Sequence, residues 1–233
     1  MVETGFGIGL ITVVEAGRTL ALATGALRSK PSREYLAEFE QARWNLNRFA
    51  VGLSPRDVEV LDCPINWTDE EVRKFTKSDF GLFLPEVCST APEGLRLQAK
   101  IYPGMFWEEQ NVPTSVRNED EEGKVISLFG WLKTERGIDA SNTGTDETKA
   151  RAVIANKHRS AQTLNVYGEA GQESKLLTGH FLDEINTLVR ILGSRVGGQV
   201  VSAFFDPDGF CGVNWGLDSA DVGDGLGVRS VGV

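Results

Sequence analysis

Apolar side chains recur along this chain at two spacings. Tyr35, Phe39, Ala42, Leu46 and Phe49 fall on one face of a 3.6-residue period and predict an amphipathic helix over residues 32–49, entered through Pro31 and left at Gly52. Phe181, Leu182, Ile185, Leu188, Val189, Leu192 and Val196 follow the same spacing. They predict a second, core-facing helix over 178–197 that stops at Gly197-Gly198.

Elsewhere the pattern is that of strands. Residues 6–14 and 18–24, with Glu15-Ala16-Gly17 between them, predict an N-terminal β-hairpin. In 95–102, Leu95, Leu97, Ala99 and Ile101 alternate with Arg96, Gln98 and Lys100, the pattern of a strand with one wet face. Residues 124–133 are apolar on both faces and predict a central strand; 163–167 and 199–205 predict further strands. Asp206-Pro207-Asp208-Gly209 is a turn signal, and 210–215 is the strand returning from it. Thr68-Asp69-Glu70-Glu71 matches a capping box opening a short helix, and residues 80–84 form a hydrophobic knot before Pro85.

Polar stretches separate these elements. Residues 103–123 hold an apolar island, Met105-Phe106-Trp107, that either docks on a partner or plugs the core. Residues 134–150 lack periodicity and are long for a loop, and a helix is expected within 148–161. The Gly- and Asp-rich tail, 216–233, predicts an extended arm or a last edge strand. The expected fold is therefore α+β. It is a mainly antiparallel sheet with an N-terminal β-hairpin, packed by helices at 32–49 and 178–197. Residues 1–215 form a single domain with polar excursions, and 216–233 a C-terminal arm.

Composition narrows the function classes. The formal net charge is −9 and no Lys/Arg run exceeds two residues, so nucleic acid is an unfavourable partner. The three cysteines, Cys63, Cys88 and Cys211, form no paired metal or redox motif, and Cys63–Cys88 is the one pairing worth checking. The N-terminus has no basic n-region, and no run approaches the ~20 apolar residues of a membrane span. A cytoplasmic or virion setting is expected.

Candidate chemistry is sparse. His180 precedes Asp183 and Glu184 by three and four residues, which on a helix would place all three on one face near its start. His158 is the only other imidazole for a metal, and the acids equally suit a helix N-terminus. Asp206, Asp208, Asp218, Asp221 and Asp224 form an acidic series that suits either calcium or turn chemistry. Gly5, Gly7 and Gly9 lack the ending of a phosphate loop, and no nucleophile elbow, zincin or dinucleotide motif occurs. No catalytic, cofactor-binding or metal residue is assigned.

Val213-Asn214-Trp215, followed by Leu226-Gly227-Val228-Arg229-Ser230-Val231, resembles the closing strands of C-type-lectin-like and formylglycine-generating-enzyme-like domains. The resemblance implies a ligand-facing Asp-rich loop and adds weight to calcium. A helix over 178–197 leaves little room for the long loop region of such folds, so it is not taken as a family assignment.

The leading expectation is a non-enzymatic structural or assembly protein of a homo-oligomeric particle, such as a virion or phage tail component. It would associate with itself or other assembly proteins through the polar loops and the arm. A lectin-like ligand-binding module and an enzyme of unrecognised class, centred on His180, Asp183 and Glu184, are the alternatives.

Overall fold

Sheets and helices mix along the chain as the pattern predicts, and the class is α+β. The computed structural model describes Glu70 and residues 79–84, 93–102, 104–106, 111–118 and 130–232. Contacts divide the chain into two compact units, 1–74 and 75–233, and every element described below belongs to the second. The predicted N-terminal hairpin, the 32–49 helix, Cys63 and Cys88 lie outside the described residues.

The elements run β1 (Asp79–Leu84), α1 (Glu93–Ile101), α2 (Val112–Ser115), β2 (Arg117–Asn118), β3 (Gly130–Glu135), α3 (Glu147–Asn156), β4 (Ser160–Ala161), α4 (Leu164–Thr178), β5 (Leu188–Val196), β6 (Gln199–Phe205), β7 (Cys211–Asn214), β8 (Leu226–Val228) and β9 (Ser230–Gly232). One sheet has the order β1-β3-β9-β4 and is antiparallel throughout. The other runs β2-β5-β6-β7, also antiparallel, and β8 joins β5 in parallel. β2 pairs with the far end of β5, at Ser194 and Arg195, while β8 pairs with its start, at residues 188–190. They share one edge of β5 and leave the other to β6.

The second sheet is covered on both faces. Val189 and Ile191 of β5, with Val201, Ala203 and Phe205 of β6, join the main core around Tyr167 and Ala170 of α4. From the opposite face, Leu192, Val200 and Val228 pack with Ala150 and Ile154 of α3. Burial on both faces erases a wet-face alternation. This is why residues 188–196 did not read as a strand.

Three sequence expectations need correction. No helix spans 178–197. Thr178 ends α4, and Gly179, in the left-handed conformation at φ 82°, donates its N–H to the Lys175 carbonyl as a C-terminal cap. A turn over 181–187 then feeds β5. Residues 95–102 are not a strand: 95–101 belong to α1 and Tyr102 follows it. Leu95 and Gln98 are buried on its inner side, with Ala99 and Tyr102 packed beside them at helical spacing. A buried glutamine in that stripe disguised it: Gln98 Nε2 donates to the Asn165 carbonyl (2.8 Å) and to Glu169 Oε1 (3.2 Å). Residues 163–167 are not a strand either. Thr163 caps α4, accepting from the Val166 N–H.

Other expectations hold. The 206–209 turn joins β6 to an antiparallel β7. A helix occupies the expected place at 147–156, capped by Asp146, which accepts from the Lys149 N–H at 2.8 Å. Of the strand expected over 124–133, residues 130–133 lie in β3, which runs on to Glu135, and 124–129 lie outside the described residues. The apolar island of 105–107 is anchored at Met105 and Phe106, both buried in the core. The tail is extended at 226–232 but is no projecting arm: β8 and β9 are buried, one in each sheet. No helix among the described residues is long and apolar enough to cross a membrane.

Candidate functional site

The polar loops are held to the sheets by two buried arginines. Arg229 lies between β8 and β9 and is 1% exposed. Its Nε donates to Asp183 Oδ2 at 2.8 Å and its Nη2 to Asp183 Oδ1 at 3.1 Å. The same guanidinium donates to the carbonyls of Glu135 (3.2 Å), Gly137 (2.8 Å) and Ile138 (2.7 Å). Asp183 sits in a left-handed turn (φ 57°), which swings its carboxylate inward, and its own N–H meets the Ile138 carbonyl at 2.6 Å. The Tyr167 hydroxyl (3.1 Å), the Ala140 N–H (2.8 Å) and the Thr187 hydroxyl complete the carboxylate's donors.

The electrostatics follow from that enclosure. Burial works against the charge on Arg229, but the Asp183 carboxylate outweighs it and holds the guanidinium above its ordinary value. Burial, and then the Asp183 charge, push the Tyr167 hydroxyl well above its ordinary value, so it stays a donor. Each oxygen of the Asp183 carboxylate accepts from at least two donors, and Asp183, Arg229 and Tyr167 are all buried. The effect of the cluster is to lock residues 135–140 and 181–187 to the end of the chain.

Arg190, on β5 and 1% exposed, braces the next pair of loops. It donates to the carbonyls of Thr145 (3.0 Å) and Asp221 (2.8 Å). Backbone bonds from Gly144 to Gly223 and from Glu147 to Ser219 join the same loops. The polar excursion of 134–150 is thus ordered by its own unit.

The expected His180, Asp183, Glu184 group divides. His180 Nδ1 contacts Glu184 Oε1 on the surface, and Glu184 Oε2 accepts from the Phe181 N–H at 2.8 Å. Asp183 turns the other way, into the Arg229 clamp. The helix that was to align all three is not there. His158 is exposed in the turn after α3.

Asp206, Asp218 and Asp221 of the acidic series carry turn chemistry. Asp206 Oδ1 accepts from the N–H groups of Asp208 and Phe210, both at 3.0 Å, and Asp218 Oδ1 accepts from the Ala220 N–H at 3.2 Å. Asp221 Oδ2 accepts from the Asp218 N–H at 2.7 Å. Among the described residues, no group of three or more His, Cys, Asp or Glu is placed to hold a metal ion.

Next to the clamp lies an open groove of about 460 Å³, lined by residues 183–188, 204–207 and 225–226. Two large apolar side chains stand exposed in its lining, Ile185 at 61% and Phe204 at 39%. Phe181 and Phe205 stack behind it with ring centroids 5.0 Å apart.

Sequence reasoning missed both arginines and Tyr167. A signal was present: Arg190 and Arg229 are lone charges inside apolar strand-like runs, Leu-Val-Arg-Ile-Leu and Gly-Val-Arg-Ser-Val. Such charges are almost never buried without a partner. No family model, curated protein or solved structure matches this chain.

Proposed function

We propose that this protein is a non-enzymatic structural component of a homo-oligomeric assembly, of the kind found in a virion or phage tail. The observation that carries the reading is how the charged interior is used. Arg229, Asp183 and Arg190 hold loops onto sheets, and both oxygens of the Asp183 carboxylate are taken up within the clamp. A surface held this rigidly loses little entropy when it is buried against a neighbour, as an assembly requires. Val222, 59% exposed in one of the braced loops, supplies a large apolar group on that surface.

The contacts differ from those expected. Residues 134–150 and 226–232 are engaged within their own unit, so the bonding surface of the assembly is the exterior of the braced loops rather than a swapped arm. Sedimentation velocity on the full chain over a wide concentration range tests the reading. A discrete oligomer or larger particle supports it, and a monomer at every concentration sinks it.

A further inference from the structure

We propose that the groove lined by residues 183–188, 204–207 and 225–226 docks an extended segment of a different polypeptide. The segment carries an apolar side chain flanked by Lys or Arg. The inference concerns a second kind of partner and does not depend on self-association.

The lining supplies an apolar surface. Ile185 is 61% and Phe204 39% exposed beside a recess of about 460 Å³, with Leu188, Pro207 and Leu226 around them. That volume lies in the range of ligand-accepting pockets. The walls are fixed before any partner arrives. The Asp183–Arg229 clamp holds one side, Leu188 N–H meets the Gly225 carbonyl at 2.9 Å, and Asp206 N–H meets the Phe210 carbonyl at 2.9 Å. Preorganisation of this kind lowers the entropic cost of binding.

Charge selects the occupant. Among the described residues no cation lines the groove, whereas Glu184 and Asp206 do. Asp139 joins them at the margin, where its carboxylate accepts from the Asn186 N–H (3.1 Å) and from Asn186 Nδ2 (2.9 Å). Asp206 and Asp139 are oriented by neutral N–H groups, which leave their charge in place. Asp208 and Asp224 flank the lining in sequence and are exposed. Lys175, whose ammonium reaches the Pro207 carbonyl at 3.4 Å, offsets part of that field. A second copy would bring the same carboxylates and the same net charge of −9 to a two-fold contact, so like would face like. Anionic lipid and nucleic acid are repelled for the same reason. A cationic segment with an apolar anchor satisfies both halves of the site.

The test uses the full chain and a dye-labelled, end-capped peptide, Arg-Leu-Trp-Leu-Arg, followed by fluorescence anisotropy, with a Glu-flanked peptide as control. Saturable binding of the Arg-flanked peptide is expected, weakened on the order of tenfold by Ile185→Ser. Asp206→Asn, which keeps the oxygen that caps the turn, should weaken it several-fold, as should added salt. Ile185 is exposed, so both variants should fold, as circular dichroism will show. The proposal is overturned if the Arg-flanked peptide fails to bind saturably, if both variants bind it unchanged, or if the Glu-flanked peptide binds equally well. Self-association lost in Ile185→Ser would give the groove to a second copy and overturn it too. A negative peptide result leaves the assembly reading to be judged on oligomeric state alone.

Discussion

Arg229→Met is the most informative substitution. Methionine keeps part of the apolar stem and removes the guanidinium. The Asp183 carboxylate is then left 2% exposed without its counter-charge, and the carbonyls of Glu135 and Gly137 lose a donor. Breaking one side of a buried ion pair costs about 3–5 kcal/mol. The lower end is expected here, because Tyr167, Ala140 N–H and Thr187 still donate to Asp183. A loss of about 3 kcal/mol corresponds to a drop of roughly 6–12 °C in Tm for a chain of this length. Asp183→Asn on top of Arg229→Met removes the stranded charge, and asparagine accepts the left-handed backbone at this position. The double variant should therefore recover about 1–2 kcal/mol relative to Arg229→Met alone. Urea unfolding followed by far-UV circular dichroism measures both, with the m-value checking that the same unit unfolds. A loss under about 1 kcal/mol for the single variant would refute the clamp as a buried pair. So would a double variant as unstable as the two single losses summed.

Four further outcomes are expected. Gly193→Ala would place a Cβ 2.7 Å from the Gln162 carbonyl oxygen, a backbone atom with no rotamer to yield, and should cost about 1–3 kcal/mol in the same urea titration. In a Cys63→Ser/Cys88→Ser background, Cys211 should resist an aromatic disulfide reagent until the protein unfolds, because it is fully buried and burial pushes its thiol far above the ordinary value. Burial alone would raise the Glu147 carboxyl, but hydrogen bonds from Arg195 and Arg151 outweigh it and hold it below the ordinary 4.5. Its contribution is therefore full above about pH 4.5 and lost as the pH falls through the lowered value, and Glu147→Gln should flatten the acid limb of a Tm-against-pH curve. Millimolar calcium should leave Tm unchanged, since Asp206 and Asp218 are engaged by their own turns; a clear rise would revive the calcium-binding alternative.

The sequence was legible where one face of an element is wet or a turn has a chemical signature. Asp206-Pro207-Asp208-Gly209 announced the hairpin of β6 and β7, and Asp146 marks the start of α3. It misled where polar residues are buried. Asn165, Glu169 and Glu173 lie inside α4 at 0–2% exposure, so polar residues fall on its buried side and blur its period. Gln98 did the same to α1. The pair Thr178-Gly179 fits a helix start or a helix end equally well by composition, and the left-handed glycine decided for the end. The candidate site was hardest to read because its parts come from positions 135–140, 167, 183 and 229, joined only by folding.

The placement of β9 sets a condition on how this unit is made. β3 and β4 are not neighbours; both pair with β9, through Lys133↔Gly232, Thr134↔Val231, Ser160↔Val231 and Ala161↔Ser230. Until residue 232 has emerged from the ribosome, the first sheet cannot close and β3 keeps an open edge. Such long-range closure raises the contact order and slows folding. During synthesis the nascent chain carries unpaired strand edges of the kind that recruit chaperones or neighbouring chains, and on a polysome those neighbours are copies of itself.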